Sequence, residues 1–397
     1  MPASLAIVGG GPAGMMAAIR SAEALGEGGR VVLFDKNDRL GRKIYLTGKG
    51  RCNLTNLRPW EEFAPHIHPN QRFLRQAFRA FSNEALIRFF EQELGVPTVT
   101  LQGQRVYPAS LVAGDVARAL ERRVRELGVE IRYKTTVGSL AELDGFDAVI
   151  VATGGKSYPV TGSTGDGYRL AAEAGHTVTP TFPSETALLP RGYDPDLSGL
   201  TLKNVGLKLF IDRTCVQEEE GEFTFTDDGL ESGIAYHLSR RAVWALTNGQ
   251  QVDIVLDLKP ALTEEQLAAR LVRESITRQA RPDRASLRAL MPDALIAPFL
   301  RAHPGLTMEK LPTALKAWPF HIDDYKGYDR AVVTAGGVNL QEIVPKTLAS
   351  RLRPGLFFCG EVLDLDGDTG GYNLQIAFST GSLAGSSAAA YLLALPR

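Results

Sequence analysis

The chain has 397 residues, 44% of them hydrophobic and 22% charged, and this length suggests two or three domains with sizeable cores. Lysine and arginine together number 44 and aspartate and glutamate 45, a balance that disfavours a dedicated nucleic-acid-binding protein. The three cysteines are far apart and form no Cys-x-x-Cys pair, so neither a redox disulfide nor a zinc site is indicated, and a cytoplasmic location is expected.

The chain begins with a strand, a glycine turn and a helix, in the stretch SLAIVGGGPAGMMAAIRSAEAL. It carries no basic leader, and we find no apolar run long enough to span a bilayer, so no membrane association is expected. Gly9, Gly11 and Gly14 form a G-x-G-x-x-G motif, which permits a tight turn, a close pyrophosphate and close helix–strand packing. Pro12 suits the first helical turn. Asp35 ends the next strand, RVVLFDK, where an acid accepts hydrogen bonds from an unphosphorylated ribose, so the motif predicts FAD or NAD.

A long loop follows Asp35, with the sequence NDRLGRKIYLTGKGRCNLTN. It has weak periodicity and is rich in cations and glycine, and a long ordered loop in this place is usually functional. One interpretation is a solvated basic loop. The other is that the loop crosses the pyrophosphate and lines the far end of an extended dinucleotide, with backbone N–H groups directed at phosphate or flavin atoms. The second interpretation favours FAD.

The middle of the chain alternates predicted helices and strands before its character changes. Residues 60–95 show helical spacing. A strong helix is predicted over SLVAGDVARALERRVRELG, with strands over VEIRYKTTV and FDAVIVATGG, and a further helix and strand over STGDGYRLAAEAGHTVT. The predicted apolar stripe of the strong helix comprises Val112, Val116, Leu120, Val124 and Leu127.

From about residue 190 the pattern predicts a β-rich unit, followed by a helical stretch that opens with a capping box from Thr263 to Gln266. No second G-x-G-x-x-G with strand–helix context occurs there, which disfavours a dedicated second nicotinamide domain.

The C-terminal sixty residues return to strand, glycine loop and long helix, in RPGLFFCGEVLDLDGDTGGYNLQIAFSTGSLAGSSAAAYLL. The helix is rich in small residues. They favour either close helix packing or a helix N-terminus aimed at the pyrimidine end of a flavin, where its dipole would stabilise the negative charge of the reduced ring.

These segments resemble a known family. GGGPAG, LGRKIYLTGKGRCNLTN, RVYPAS, ATGGKSYPVTGSTGDGY, VTAGGV and GEVLDLDGDTGGYNLQIAFSTG are similar to the bacterial two-dinucleotide-binding-type flavoproteins that include aminoacetone oxidase, a bile-acid reductase and a ribosomal-RNA dihydrouridine synthase. The stretch FTFTDDGLESGIAY departs from relatives, which commonly have a His and a Ser-Gly-Pro there. This chain has Asp227 and Asp228, so inferences about its substrate from relatives are weakened.

The resemblance implies an α/β fold: a Rossmann-type FAD-binding domain with an inserted β-barrel-like domain and a nested small helical subdomain. We assign residues 1–189 and 336–397 to the FAD-binding domain, 190–258 and 316–335 to the β-rich insert, and 259–315 to the helical subdomain. The motifs and the resemblance together predict these cofactor-binding residues: Gly9, Gly11, Pro12, Ala13, Gly14, Asp35, Lys36, Arg42, Lys43, Gly48, Gly50, Asn53, Val137, Thr153, Gly154, Gly360, Glu361, Gly371, Tyr372 and Asn373.

The residues predicted to face a substrate over the flavin, between the FAD domain and the insert, are Arg51, Cys52, Asn53 and Tyr372, with Tyr107 nearby. Arg51 would anchor a carboxylate or flavin O2. Cys52 is either a proton donor or, more simply, a small packing residue. Tyr372 either faces the site or caps the loop. The histidines nearest the predicted site loops are His237 and His321, and both are interpreted as structural. No metal ligands are predicted.

We therefore expect an FAD-dependent oxidoreductase acting on an unidentified small molecule, with NADPH or NADH as an open choice of transient reductant. Two alternatives stay open. One is reduction of an RNA nucleobase, for which Arg118, Arg122, Arg123 and Arg125 would form a phosphate track; the near-zero net charge disfavours it. The other is a non-catalytic flavin-binding redox protein. The sequence leaves the oligomeric state undecided.

Overall fold

The computed structural model describes residues 2–227, 229–273 and 280–396. The chain forms two compact units, one from Met1–Phe182 with Val333–Arg397 and one from Pro183–Val332. The predicted domain boundaries at 189–190 and 335–336, and those of the helical subdomain, stay predictions. Asp228, in the stretch that departs from relatives, and Glu274, at the end of the predicted helix with the capping box, lie outside the described residues.

The strands, in chain order, are β1 Ala3–Val8, β2 Gly29–Phe34, β3 Thr55–Asn56, β4 Ile67–His68, β5 Thr98–Leu101, β6 Arg105–Pro108, β7 Glu130–Arg132, β8 Ala148–Val151, β9 Phe182–Ser184, β10 Leu188–Pro190, β11 Thr201–Ile211, β12 Thr214–Thr226, β13 Gly229–Glu231, β14 Val252–Asp257, β15 Trp318–Tyr325, β16 Val333–Ala335, β17 Leu356–Phe358 and β18 Asp366–Gly367.

The α-helices are α1 Pro12–Leu25, α2 Trp60–Phe63, α3 Gln71–Ala80, α4 Asn83–Arg88, α5 Ala113–Glu126, α6 Asp166–Glu173, α7 Gly233–Thr247, α8 Glu264–Arg273, α9 Arg284–Arg288, α10 Asp293–Ala302, α11 Leu311–Lys316 and α12 Tyr372–Ala394.

The first unit is built on a five-stranded sheet in the order β17-β8-β1-β2-β7, and all four neighbouring pairs are parallel. The carboxyl ends of parallel strands share one edge, which is where ligands bind in open α/β sheets. The G-x-G-x-x-G turn, Asp35, the Ala152–Gly155 turn and the Gly360–Glu361 turn follow β1, β2, β8 and β17. The sheet therefore brings four motifs from distant parts of the sequence to one edge, and the predicted Rossmann-type domain is confirmed.

Two helices of this unit pack backbone against backbone. A Cβ added at Gly381 of α12 would lie 2.3 Å from the Ala13 carbonyl oxygen of α1, and one at Gly385 would lie 2.4 Å from the Ala17 oxygen. Only glycine permits this approach. The small residues of α12 thus serve close helix packing, the first of the two interpretations made from the sequence.

The expectation that no apolar run could span a bilayer is wrong on length and composition alone. Among the described residues, α12 is long and apolar enough, but 67% of its most apolar window is buried. Its packing on α1 explains the apolar composition, because a helix enclosed on several sides is apolar around its circumference.

The second unit contains a closed barrel in the order β10-β13-β12-β11-β14-β15, together with α7 and the helices α8 to α11. This confirms the predicted barrel-like insert. The capping box is also present, since the Thr263 N–H donates to Gln266 Oε1 at 2.9 Å and the Gln266 N–H donates to Thr263 Oγ1 at 3.2 Å.

Two local predictions need correction. The strand predicted over residues 129–137 is only Glu130–Arg132, so Val137 lies in a loop, where its carbonyl accepts from Arg169 Nη2 at 3.4 Å. Val112 precedes α5 and is 47% exposed, whereas Val116, Leu120 and Val124 are buried. The apolar stripe therefore starts one turn later than predicted.

Candidate cofactor and active site

The glycine turn after β1 has the shape that the motif predicts. Gly9 has φ +106°, and an added Cβ would lie 2.5 Å from the Ala152 oxygen of the neighbouring strand end. An added Cβ at Gly14 would lie 1.8 Å from the Gly9 oxygen. At Gly11, by contrast, an added Cβ would meet nothing within 4 Å. The turn is thus closed on the protein side and open on the side expected for a pyrophosphate.

The N-terminus of α1 is available to an anion. Its N-cap residue, Gly11, makes no side-chain capping hydrogen bond, and Pro12 occupies the first turn. Free N–H groups and the helix dipole favour negative charge at such an end. The C-terminal strand reaches the same place, because an added Cβ on Gly360 would lie 2.7 Å from Ala13 Cβ.

Asp35 holds the turn from the next strand. Its Oδ2 accepts the Gly10 N–H at 2.8 Å and its Oδ1 accepts the Asn37 N–H at 2.7 Å. The carboxylate is 8% exposed, and each oxygen keeps a second lone pair for a ribose hydroxyl. Arg42 Nη1 donates to Asn37 Oδ1 at 2.9 Å, and Lys36 forms an ion pair with Asp166 at 2.6 Å.

The loop GKGRCN has an unusual backbone. Gly48, Lys49, Gly50 and Cys52 all have positive φ, between 57° and 84°. Left-handed conformations at non-glycine residues cost free energy and gather at functional sites. The Cys52 N–H donates to the Thr47 oxygen at 3.0 Å, which closes the loop on itself.

Contacts across more than 300 residues join β3, the strand that follows this loop, to the start of α12. An added Cβ on Gly371, the N-cap with φ +102°, would lie 2.4 Å from the Thr55 oxygen. Thr55 Oγ1 donates to Gln375 Oε1 at 2.6 Å, and Asn56 Nδ2 donates to the Gly370 oxygen at 3.2 Å. Segments near both ends of the chain therefore pack together on one side of the predicted cofactor site.

Two buried polar atoms of predicted cofactor-binding residues have no hydrogen-bond partner among the described residues: Asn53 Oδ1 and Thr153 Oγ1. Such atoms are rare in folded proteins and indicate a missing partner. Together with the open space at Gly11 and the uncapped helix, they fit an elongated polar ligand with phosphates at one end, as FAD is. The contacts of the individual predicted residues with FAD stay predictions.

A largely buried ion-pair network joins the loop after β2 to the turn after β17. Lys43 Nζ lies 2.7 Å from Glu361 Oε2 and donates to Ser157 Oγ at 2.6 Å. Glu361 Oε1 accepts from Ser157 Oγ at 2.7 Å and from the Thr334 N–H at 2.9 Å. Burial by itself would raise the pKa of Glu361, but the Lys43 charge and these hydrogen bonds outweigh it and hold the pKa below its ordinary value. Glu361 is therefore an anchored carboxylate.

Of the predicted substrate-facing side chains, Arg51 is the exposed one. Its guanidinium lies 5.3 Å from the centre of the Tyr107 ring, and its Nε donates to the Gly48 oxygen at 3.2 Å. Cys52 is fully buried, and burial raises the pKa of its thiol to about 12. A proton donor must reach its substrate, so these facts support the packing interpretation of Cys52 over the proton-donor one.

Tyr372 and Asn373 are also turned inward. Tyr372 is 3% exposed, packs against Phe63 and His66, and has its pKa raised to about 12 by burial. Asn373 uses both ends of its amide on the backbone of Gly367, at 2.8 and 2.6 Å. The structure therefore gives both side chains a role in shaping the loop before α12.

Sequence reasoning missed a polar cluster at the same place. Asp368 Oδ2 lies 2.8 Å from His66 Nδ1, and its Oδ1 lies 3.0 Å from His68 Nε2. The side chains are 19%, 28% and 31% exposed for Asp368, His66 and His68. The paired histidines in EEFAPHIHPN were the available signal, but their partner is 300 residues away. The histidines considered from the sequence, His237 and His321, pair with Glu219 and Asp253 in the barrel unit.

The arginines proposed as a phosphate track are already neutralised. Each lies within ion-pair distance of a carboxylate: Arg118 of Asp115, Arg122 of Glu126, Arg123 of Glu23 and Arg125 of Glu121. Three exposed arginines on α3 differ from them, since the described residues place no carboxylate in ion-pair distance of these three: Arg72, Arg75 and Arg79.

Comparison with known proteins gives one family and several relatives. A family model described as the HI0933-like protein Rossmann domain matches residues 3–387. The chain is 31% identical to a 3-dehydro-bile acid delta(4,6)-reductase of Clostridium scindens, over 97% of this chain and 98% of that protein. It is 28% identical to a ribosomal RNA dihydrouridine synthase of Escherichia coli, over 94% of this chain and 95% of that protein.

Solved structures share the fold. A 3-ketosteroid delta1-dehydrogenase from Sterolibacterium denitrificans superimposes with a TM-score of 0.51 at 12% identity, covering 97% of this chain and 99% of that one. A flavocytochrome c3 fumarate reductase in its open conformation gives 0.50 at 17% identity, covering 99% of this chain and 79% of that one.

Proposed function

Because the chain belongs to the HI0933-like protein family, we propose that this FAD-dependent oxidoreductase reduces a small-molecule enone, a carbon–carbon double bond conjugated to a ketone. The observation that carries the substrate class is the 31% identity, over nearly the whole chain, to a reductase that acts on a 3-dehydro-bile acid. Its named substrate is a ketone, and the delta(4,6) positions in its name denote the bonds reduced.

The residues at the sheet edge suit the cofactor in distinct ways. FAD, when bound, would supply two-electron redox chemistry at its isoalloxazine ring. The open turn at Gly11 and the start of α1 would hold the pyrophosphate, and Asp35 would hold the ribose. Asn53, with its unpartnered carbonyl oxygen, is the candidate acceptor for a ring N–H.

Arg51 is the candidate substrate anchor. Its side chain is exposed, and its guanidinium lies over the Tyr107 ring. A guanidinium binds a carboxylate or polarises a ketone oxygen through fixed N–H groups. NADPH or NADH is proposed as a transient reductant, which enters and leaves without a domain of its own. A cytoplasmic location is proposed as well, supported by three cysteines that are all unpaired.

The test starts from purified protein. Bound flavin is released by heat and identified, and the intact protein is then mixed anaerobically with NADPH or NADH while absorbance near 450 nm (roughly the flavin maximum) is followed. The reduced protein is next mixed with a 3-oxo-Δ4,6 bile acid. Return of the absorbance with formation of saturated product supports the proposal. If the reduced protein does not react with the enone, the proposed substrate class is contradicted. If neither NADPH nor NADH reduces the flavin, the result supports a non-catalytic flavin-binding protein instead.

A second candidate function is reduction of an RNA base. The arginines of α3, which no carboxylate of the described residues pairs, favour it, as does the 28% identity to a ribosomal RNA dihydrouridine synthase. Phosphate binding by arginine depends steeply on salt. Retention of ribosomal RNA on a filter at about 0.15 M salt, lost as salt rises, would support this function. Absence of any retention would remove it.

A further inference from the structure

The cluster of His66, Asp368 and His68 fixes the protonation pattern of two imidazole rings. An ionised carboxylate only accepts hydrogen bonds, so each ring nitrogen facing Asp368 must carry a hydrogen. His66 therefore has its hydrogen on Nδ1, at 2.8 Å from Oδ2, and His68 has its hydrogen on Nε2, at 3.0 Å from Oδ1. The opposite nitrogens, Nε2 of His66 and Nδ1 of His68, are directed away from the carboxylate. A carboxylate that orients an imidazole in this way is how a histidine is prepared for proton transfer.

His66 packs against the start of α12, the helix whose N-terminus the sequence predicts to face the flavin. Its ring stacks on Tyr372, the first residue of α12, with centroids 4.4 Å apart and planes at 24°. Its carbonyl oxygen accepts the Asp368 N–H at 3.0 Å, so the ring and its carboxylate are tied by backbone as well as side chain. About a quarter of the His66 side chain is exposed, at 28%. His66 is thus fixed, and it stays accessible to solvent and small molecules.

Burial disfavours Cys52, the proton donor considered from the sequence, and it disfavours the Tyr372 phenol as a replacement. Both groups have pKa values raised to about 12 and little or no exposed surface. The His66 side chain, by contrast, is partly exposed.

We propose that His66 is the proton donor of the reaction and that Asp368 and His68 are positioning residues. The inference rests on the proposed function. Reduction of an enone needs a hydride equivalent at the β-carbon, which bound FAD would supply, and one proton at the α-carbon. The donor is the doubly protonated ring: its Nε2–H bond breaks, a C–H bond forms at the α-carbon, and the neutral ring with its hydrogen on Nδ1 is left. Asp368 continues to accept the hydrogen bond from Nδ1, and solvent protonates Nε2 of the neutral ring again.

A purely structural role would produce the same contacts, because they also tie β4 to the loop before α12. The two roles differ in which electron acceptors they affect. Ferricyanide takes single electrons and no proton, whereas an enone takes a hydride equivalent and a proton. Loss of a proton donor harms only the second reaction.

The first test uses flavin-loaded protein reduced with dithionite and two probes, ferricyanide and a 3-oxo-Δ4,6 bile acid. His66→Gln should slow enone reduction by about 100-fold or more and change ferricyanide reduction less than about twofold. His237→Gln, in the barrel unit, is the matched control and should change neither. Equal slowing of both probes by His66→Gln, or of neither, overturns the inference. Wild-type protein that reduces ferricyanide but not the enone overturns the proposed function instead.

The second test needs neither cofactor nor activity. Nitrogen-15 NMR of the neutral imidazole rings in the cofactor-free protein should show the Nδ1–H tautomer for His66 and the Nε2–H tautomer for His68. Asp368→Asn offers one acceptor oxygen in place of two, so at least one ring should become a mixture of tautomers while His237 is unchanged. A mixture at His66 in the wild-type protein contradicts the orientation on which the proposal depends. Far-ultraviolet circular dichroism checks that the variant is folded.

Discussion

The two ends of the predicted dinucleotide site are built in different ways. At the pyrophosphate end, one continuous segment of strand, turn and helix supplies Gly9, Gly11 and Gly14. At the other end, β3, the strand of His68 and the residues around the start of α12 meet through contacts that span about 300 residues or more. The first end is local in sequence and the second is not.

This difference decides where substitutions act. In the local turn each glycine has its own steric task, so single changes should separate folding from cofactor binding. At the other end, one side chain often serves both folding and cofactor binding. A hydrogen bond between distant segments holds the fold together there and also shapes the surface that faces the predicted cofactor. Variants that separate these two outcomes test the comparison directly.

The largest effect is expected within the glycine turn. Gly14→Ala places a Cβ 1.8 Å from the Gly9 oxygen, so the turn must open, and the free energy of unfolding should fall by at least about 3 kcal/mol. The Cβ of Gly11→Leu points into open space, so the variant should lose only about 1 kcal/mol of stability in the cofactor-free protein, the cost of leucine at a helix N-cap. It should nevertheless weaken FAD binding by at least about tenfold. Urea unfolding and flavin titration measure the two quantities.

Equal destabilisation by both variants would contradict the open space assigned to Gly11. Unchanged FAD affinity in Gly11→Leu would contradict its place beside the pyrophosphate.

The second effect concerns the α1–α12 contact. Gly381→Ala puts a methyl group 2.3 Å from the Ala13 oxygen, which should separate the helices and lower the free energy of unfolding by roughly 2–3 kcal/mol. Ala390→Leu, on the exposed face of α12, is the control and should change it by less than about 0.5 kcal/mol. Thermal unfolding of the cofactor-free variants measures both. A tolerated Gly381→Ala would show that α12 does not lie directly on α1.

The same contrast between local and distant contacts explains what could be predicted from the sequence. The turn at Gly9, the strand before it and Asp35 follow from residue order alone, because neighbouring residues determine them. The small residues of α12 allowed two interpretations, and only the position of α1 decides that Gly381 and Gly385 serve packing. No periodicity in the chain relates His66 to Asp368, since the pairing of β4 with β18 brings them together. The ion pairs of the α5 arginines were likewise missed, because pairing depends on which carboxylates the fold brings near.

The third effect concerns the Lys43–Glu361 pair. Glu361→Gln leaves a largely buried ammonium without its carboxylate and should cost about 2 kcal/mol, less than a fully buried pair because about a fifth of each side chain is exposed. Lys43→Met combined with Glu361→Gln removes both charges and should recover part of that loss. Chemical unfolding of the two single variants and the double variant measures the coupling. Strictly additive losses would mean that the two groups do not interact.

The pH dependence of this pair has a defined sign. The pKa of Glu361 is lower in the folded protein than its ordinary value of 4.5, so its ionised form stabilises the fold. That contribution is fully present above about pH 4.5 and is lost as the pH falls through the lowered pKa. Glu361→Gln should therefore narrow its stability difference from wild type below pH 4.5, when unfolding is followed by fluorescence. A difference that stays constant into acid would contradict the anchored carboxylate.

The smallest effect distinguishes paired from unpaired arginines. Arg75→Gln on α3 removes a charge that no described carboxylate neutralises, whereas Arg118→Gln on α5 removes one that Asp115 already pairs at 2.6 Å. Exposed ion pairs contribute little, so neither change should alter stability by more than about 0.5 kcal/mol. Any RNA binding should behave differently: Arg75→Gln should lower the salt slope of the affinity by about one, and Arg118→Gln should leave it unchanged. The same slope for both variants would place the RNA contact away from α3, because a surface that binds phosphate must have charge that the protein has not already neutralised.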